Sequence, residues 1–416
     1  MSDGLKKSLG PGLLMAAAAI GVSHLVQSTR AGAEYGYALV WAILLANLFK
    51  YPFLEFGPRY AIATGRNMIE GYHSMGSWAI GIYIIFTVGT MFAIQAAVTV
   101  VTASLAAEMT GISLSLTAWS AIILGVCILM LIKNSYAVLD SVIKVFMTIL
   151  AISTIIAVVA ALSQPVPGKP ALIQAPEVWS VTGVAFLIAL MGWMPIPIDA
   201  SVWHSVWTLE RSKQTNYTPK LGESLTDFNI GYIGAALFAI AFLLLGARIM
   251  YGSGESFATS GAAFSQQLIN LYTVTLGNWA YLLITICAFS TMFSTTFTVT
   301  DTYPRMCSLL LRQFGFTGNN QQGGNFQYRI LLVGITGMSL LFLLVMGDRF
   351  RLMIDLATTL SFLTAPVLAW MNYRLIFHTN LKSEYIPAPW LRYLSIAGMI
   401  FLSGFALFYL YWMIVN

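Results

Sequence analysis

Charge is what this chain has least of. Asp, Glu, Lys and Arg together make up 9% of its 416 residues, against about 25% in soluble globular proteins. That scarcity excludes an ordinary soluble domain. With 58% hydrophobic residues and a mean hydropathy of +0.77, the chain reads as a polytopic, all-α membrane protein. Cysteine is nearly absent too. Cys127, Cys287 and Cys307 lie in apolar segments with no CxxC or ligand spacing, so they read as small core residues and carry no redox information. There is no H-E-x-x-H, no nucleotide-binding loop and no nucleophile–base pair, so neither an enzyme nor a cofactor is expected. No stretch between apolar runs is long enough to fold alone, which argues for one transmembrane domain over residues 1–416 and against a signalling subunit. Lys6 and Lys7 precede the first apolar run without a small-residue cleavage site, so that run reads as a retained helix rather than a signal peptide.

Apolar sequence is what the chain has in abundance. A helix needs about 20 apolar residues to cross a bilayer. Eleven such runs fall near residues 11–31, 36–63, 77–107, 112–132, 137–162, 180–208, 228–250, 273–311, 327–346, 352–378 and 391–414. The Pro-rich stretch from Ser163 to Pro176 reads as a linker between two five-helix halves, about 11–162 and 180–378, with an extra helix at about 391–414. With the N-terminus inside, thirteen Lys and Arg collect on that side and five on the other, with Lys50, Arg59 and Lys144 placed within spans. The positive-inside rule then puts the N-terminus in the cytoplasm and Asn416 outside a cell (inner) membrane. The net charge of +5 reflects this bias rather than a nucleic-acid partner. The expected partners are the lipid bilayer and a transported small solute.

Two runs are interrupted, at matching places in the two halves. The first holds Gly21-Val22-Ser23-His24, and the second holds Gly192 through Asp199 with Pro195 and Pro197 two residues apart. Proline removes a backbone donor and clashes with the preceding turn, and in lipid the freed backbone groups must find partners in protein, water or a bound solute. Paired broken helices in corresponding halves mark the midplane binding site of a secondary transporter.

Several stretches carry a family resemblance. Gly10-Pro11-Gly12-Leu13-Leu14, Ala31-Gly32-Ala33-Glu34-Tyr35-Gly36-Tyr37, Ala46-Asn47-Leu48 and Ala63-Thr64-Gly65-Arg66-Asn67 resemble the start of the Nramp metal-transporter family. Met194-Pro195 stands in place of that family's sixth-helix Met-Pro-His-Asn, and Ser294-Thr295-Thr296 to Asp301-Thr302-Tyr303 is similar to its eighth helix. The resemblance covers nearly the whole chain. It implies a LeuT-type inverted repeat of five plus five helices with an eleventh, the first and sixth interrupted. It also implies transport by alternating access. In the family, Asp-Pro-Gly-Asn on the first helix offers a carboxylate and an amide to a divalent metal; here the four positions are Gly21, Val22, Ser23 and His24. The sixth-helix Ala-x-x-Met becomes Met191-Gly192-Trp193-Met194, a second family histidine falls at Ser201, and the acidic position of the third helix falls near Val98 or Thr99. The chain therefore resembles a divergent branch rather than a standard Mn²⁺/Fe²⁺ symporter, and standard proton coupling is not expected.

The candidate substrate-binding residues are Gly21, Ser23, His24, Met191, Met194 and Asp199, with His24 and Met194 as possible metal ligands. A thioether and an imidazole suit softer or later metals, although methionine is also an ordinary packing residue. A mid-span histidine is expensive unless it faces a cavity or a partner. Lys50, Glu55 and Arg59 place charge inside the second span, where the i,i+4 spacing of Glu55 and Arg59 allows a structural ion pair. Lys50 needs a partner, with Asp199, Glu34 or a bound anion as options. Asp140 with Lys144 and Asp301 with Arg305 read as further pairs or gates, and Asp355 as an isolated carboxylate. Helix-end dipoles leave a second option open. Without a carboxylate at position 21, His24 and Lys50 can turn the site toward an anion or small organic solute.

Overall fold

The computed structural model describes residues 3–132, 136–163, 177–253, 257–316, 321–347 and 349–415, without the side chains of 3, 136–147 and 321–325. The described chain is helical. Pro11, set at a helix start where its missing N–H costs nothing, opens α2 (Pro11–Ala19), which follows a short α1 (Asp3–Ser8). A wide π-helical turn (Ser23–Ser28) then leads into α3 (Thr29–Tyr35). The two parts of this first span are bent by 46°. Next come α4 (Val40–Thr64), α5 (Met68–Met75), α6 (Ser77–Thr110), α7 (Leu116–Ile132) and α8 (Tyr136–Ser163). In the second half α9 (Val181–Gly192) and α10 (Ala200–Thr215) form the broken sixth span. They are followed by α11 (Leu221–Ile249), α12 (Gly261–Leu276), α13 (Ala280–Gln313), α14 (Gln321–Met346), α15 (Phe350–Phe377) and α16 (Pro389–Val415).

Every expected apolar run contains helix. Among the described residues six helices are long and apolar enough to cross a membrane alone, and the bent pair from α2 to α3 makes a seventh span. The run expected at 273–311 is corrected: its first residues finish α12, because Gly277 at φ 93° turns the chain before α13 begins. The linker expected at Ser163 to Pro176 lies, beyond Ser163, outside the described residues, as do the side chains of Asp140 and Lys144.

Helices cross closely where glycine permits it. A Cβ on Gly32 would sit 2.0 Å from the Leu243 carbonyl of α11, and one on Gly246 would sit 2.3 Å from the Thr29 carbonyl. Small residues let backbones approach in this way, since lipid supplies no hydrophobic drive between helices. Gly192 plays the same part at the end of α9, where a Cβ would stand 2.0 Å from the Thr358 carbonyl of α15. These contacts seat both broken spans against α11 and α15. The charges of α4 face inward: Lys50, Glu55 and Arg59 are all buried.

Candidate functional site

A helix that ends inside a bilayer leaves carbonyls of its last turn without partners. At both breaks this protein supplies the donors itself. At the end of α2, the Thr295 hydroxyl of α13 donates to the Ala17 carbonyl at 2.8 Å, and the Ser23 hydroxyl lies 2.6 Å from the Ala19 carbonyl. At the end of α9, the Lys50 ammonium donates to the Met191 and Gly192 carbonyls at 2.7 Å each and reaches the Ile196 carbonyl at 3.5 Å. Lys50 is wholly buried. Its partners are therefore the backbone of the break, not Glu34, which pairs with Arg30 and Arg351. Asp199 lies within electrostatic reach of Lys50.

The two breaks meet. Ser23 Oγ is 3.4 Å from the Pro195 carbonyl, and the Ser28 hydroxyl is 3.8 Å from Met194 Sδ. Ser23 and Met194 are thus brought to the meeting of the breaks, while Gly21 faces Thr295 and Met191 faces Lys50; all four are buried. Gly21 is pressed against α13: a Cβ there would lie 2.8 Å from both Cγ2 and Oγ1 of Thr295. The space that a first-helix carboxylate would take is filled by that threonine.

His24 is placed differently. Its Nε2 lies 2.8 Å from the Ala235 carbonyl of α11 and its Nδ1 lies 2.7 Å from Ser23 Oγ. Nε2–H donates to Ala235, and Nδ1 competes with the Ala19 carbonyl for the one Ser23 hydroxyl proton, so a ligand role at Nδ1 requires that hydroxyl to turn to Ala19. Ser201 accepts a hydrogen bond from Asn372 Nδ2 at 2.8 Å, which ties α10 to α15. Asp199, one turn past the break, is buried with Oδ1 unpartnered among the described residues. It lines a cavity of ≈ 10 Å³ with Tyr83, Thr87 and Thr90 of α6, room for about one water.

Charge pairs close one end of this region. Arg30 Nη1 donates to both carboxylate oxygens of Asp355 at 2.9 and 3.0 Å, and Nε reaches Glu34, which in turn holds Arg351 at 2.7 Å. The Arg30 guanidinium also stacks 4.3 Å from the Phe186 ring centroid of α9. Asp355 is therefore not isolated, as its sequence neighbourhood implied. Gln27, which sequence reasoning missed, donates to Asp355 at 3.1 Å and keeps a buried, unpartnered Oε1. Its signal was an amide inside an apolar run just past a break. Glu55 and Arg59 form the expected i,i+4 pair, with Arg59 Nη1 also holding the Tyr385 carbonyl at 2.9 Å. At the opposite end a vestibule of ≈ 780 Å³ is lined by Glu70, Glu210, Lys213, Arg305, Arg312 and Arg329, among others. Asp301 and Arg305 form their expected pair beside it, at 2.8 Å.

The third-helix position expected to lack a carboxylate lies in a neutral seam. Gln95 Nε2 donates to Thr300 at 3.0 Å, Thr99 donates to the Gln95 carbonyl, and Thr102 meets Thr296 at 2.7 Å. Among the described residues, no group of three or more His, Cys, Asp or Glu is arranged to hold a metal ion. The groups left at the breaks are the Met194 thioether, hydroxyls and backbone carbonyls, with the Asp199 carboxyl and the Gln27 amide oxygen beside them.

A family model described as natural resistance-associated macrophage protein-like matches residues 12–412. An uncharacterized protein of Pasteurella multocida is 35% identical over 406 residues, which is 97% of this chain and 92% of that protein. A protein of Bacillus subtilis named divalent metal cation transporter MntH is 36% identical over 67 residues, 16% of either chain. Among solved structures, a manganese transporter of Eremococcus coleocola superposes with a TM-score of 0.71 at 14% identity, covering 97% of this chain and 86% of that one. MhsT in complex with L-phenylalanine gives 0.59 at 14% identity, over 95% and 98%. The architecture is thus the LeuT-type inverted repeat of five plus five helices with an eleventh.

Proposed function

Because the chain belongs to the natural resistance-associated macrophage protein-like family, matched over residues 12–412, we propose that it is a secondary active or facilitative transporter moving a metal cation by alternating access. The site is non-standard, and transport runs without the family's standard proton coupling. The observation that carries this reading is the meeting of the two helix breaks, with Met194 Sδ facing the Ser28 hydroxyl between them. Discontinuous helices place backbone carbonyls and side chains around a solute at the midplane, and a thioether among neutral oxygens suits a softer cation better than Mn²⁺. The relatives named divalent metal cation transporters and the manganese transporter that shares the fold support a metal cargo. The neutral seam of Gln95, Thr99 and Thr102 supports the absence of standard proton coupling. The chain would sit in a cell (inner) membrane with its N-terminus in the cytoplasm and its C-terminus outside.

A second reading follows from Lys50, whose ammonium holds the carbonyls at the α9 end. A divalent ion brought to about 4 Å from that charge meets roughly 8 kcal/mol of repulsion at an effective dielectric near 20. A small organic solute or an anion would not. Calorimetry of a panel of divalent metals on the purified protein, with Met194→Ala and His24→Ala alongside, separates the readings. Specific binding lost in Met194→Ala supports the metal cargo. No binding across the panel overturns it and moves the search to anions and small organic solutes.

A further inference from the structure

We propose that the break in the sixth span is a monovalent-cation site which the protein fills with its own ammonium, the side chain of Lys50. An ammonium group carries three donors and no acceptor. Here all three have a carbonyl within reach: Met191 at 2.7 Å, Gly192 at 2.7 Å and Ile196 at 3.5 Å. These oxygens come from one interruption. Met191 and Gly192 are the last residues of α9, where the helix dipole is negative and carbonyls lose their i+4 partners, the Met191 carbonyl keeping a long 3.4 Å bond from the Met194 N–H. Ile196 lies between the two prolines. Lys50 arrives from α4, is wholly buried, and makes no salt bridge among the described residues. The Asp199 carboxylate, one turn on, is near enough to add attraction. A charge taken into hydrocarbon and given only carbonyls is bound as an ion is bound. The stem of Lys50 is the tether that makes it resident.

Lys50 is thus a positioning residue for the broken helix, whatever the cargo. Removing its amine leaves a vacant cage, selective for cations of ammonium size. The test uses the full-length protein in lipid nanodiscs, with wild type, Lys50→Ala and Lys50→Met, and reads the thermal unfolding midpoint at constant ionic strength. The salts are ammonium, methylammonium, potassium, sodium and choline chloride. Wild type should show no difference among the five. Both variants should unfold several degrees lower in choline and regain at least half the loss in ammonium or potassium, with Lys50→Ala also responding to methylammonium. Equal midpoints in all salts for a folded variant, or the same salt response in wild type, would overturn the proposal. If neither variant can be purified, the recovered folded yield from cells grown with methylammonium or with choline gives the reading. Higher yield of Lys50→Ala with methylammonium supports the cage, and equal yields sink it. Because the readout is stability, a failed metal titration leaves this result untouched.

Discussion

Gly21→Asp puts a carboxylate back where the family places one, and the structure says why this fails alone. The new Cβ would stand 2.8 Å from Cγ2 and Oγ1 of Thr295. Thr295 must then move and surrender its hydrogen bond to the Ala17 carbonyl. Overpacking of this kind costs about 1–3 kcal/mol, the lost hydrogen bond about 1 kcal/mol, and a buried carboxylate without a cation several kcal/mol more. Thr295→Ala removes both offending atoms and leaves a Cβ 3.2 Å away, a gap that a few tenths of an ångström of helix movement relieves. The double variant should therefore be more stable than the sum of the two single changes by roughly 1–3 kcal/mol, a coupling expected only of residues in contact. Mn²⁺ should stabilise the double variant, by about 2.7 kcal/mol at a hundred times its dissociation constant, and should do nothing for wild type. Thermal unfolding of the four proteins with and without Mn²⁺ measures all of this. If Gly21→Asp alone is as stable as wild type, or Thr295→Ala leaves its stability unchanged, Thr295 does not occupy the carboxylate's place and the reasoning fails.

Three further outcomes follow from the same geometry. His24→Ala should cost about 1–3 kcal/mol of stability, through the lost buried hydrogen bond to the Ala235 carbonyl and the space the ring vacates, with cargo affinity unchanged; lost affinity at unchanged stability would make the imidazole a ligand. Pro195→Ala with Pro197→Ala should let helix propagate across the break and cut flux by about tenfold or more, some 1.4 kcal/mol on the barrier. Wild-type flux in that variant would remove the broken helix from the mechanism. Asp355→Asn replaces a charge-assisted contact from Arg30 Nη1 that is about one-third exposed on the Asp355 side, so its loss is worth roughly 1–2 kcal/mol after solvent screening. The expected result is faster amide hydrogen exchange in residues 23–35, and unchanged exchange would mean that this end is held shut by packing.

Much of the fold was legible because lipid makes strict demands. A span needs length and low charge, and a broken span needs prolines or glycines that no continuous helix tolerates, so Pro195, Pro197 and Gly21 announced both interruptions. The rest of the site was not legible, because it depends on which neighbour turns toward each break. Thr295 and Lys50 reach the broken spans from 274 residues downstream of Gly21 and from 141 residues upstream of Met191, and nothing local marks either as a helix cap. Lys50 was visible as a charge needing a partner, but sequence reasoning sought that partner among carboxylates. The structure answers with backbone carbonyls, an acceptor set that every residue type supplies and no motif encodes. Asp355 was misjudged for a related reason: its partner, Arg30, is 325 residues away.

The substitutions at the breaks also belong together. With glycine at position 21 no side-chain negative charge stands there to hold a cation against the α2 end, and the carbonyls freed there still need donors. Thr295 and Ser23 serve Ala17 and Ala19; Lys50 serves Met191 and Gly192. The first pair is neutral and the second brings a full positive charge into the bundle. Charge that a divalent cargo would carry into a standard site is thus partly resident here. A site arranged in this way can let its breaks stay satisfied when no cargo is bound, because their carbonyls do not wait for an ion. On the proposed function, the groups that remain for cargo are Met194, Ser28, Gln27 with its unpartnered Oε1, and Asp199 with its unpartnered Oδ1. Two of those four are on the first span and two on the sixth, so a solute that touches all of them must bridge the two breaks. That requirement is met by a cation that takes ligands from both breaks, and not by an ion held from one side.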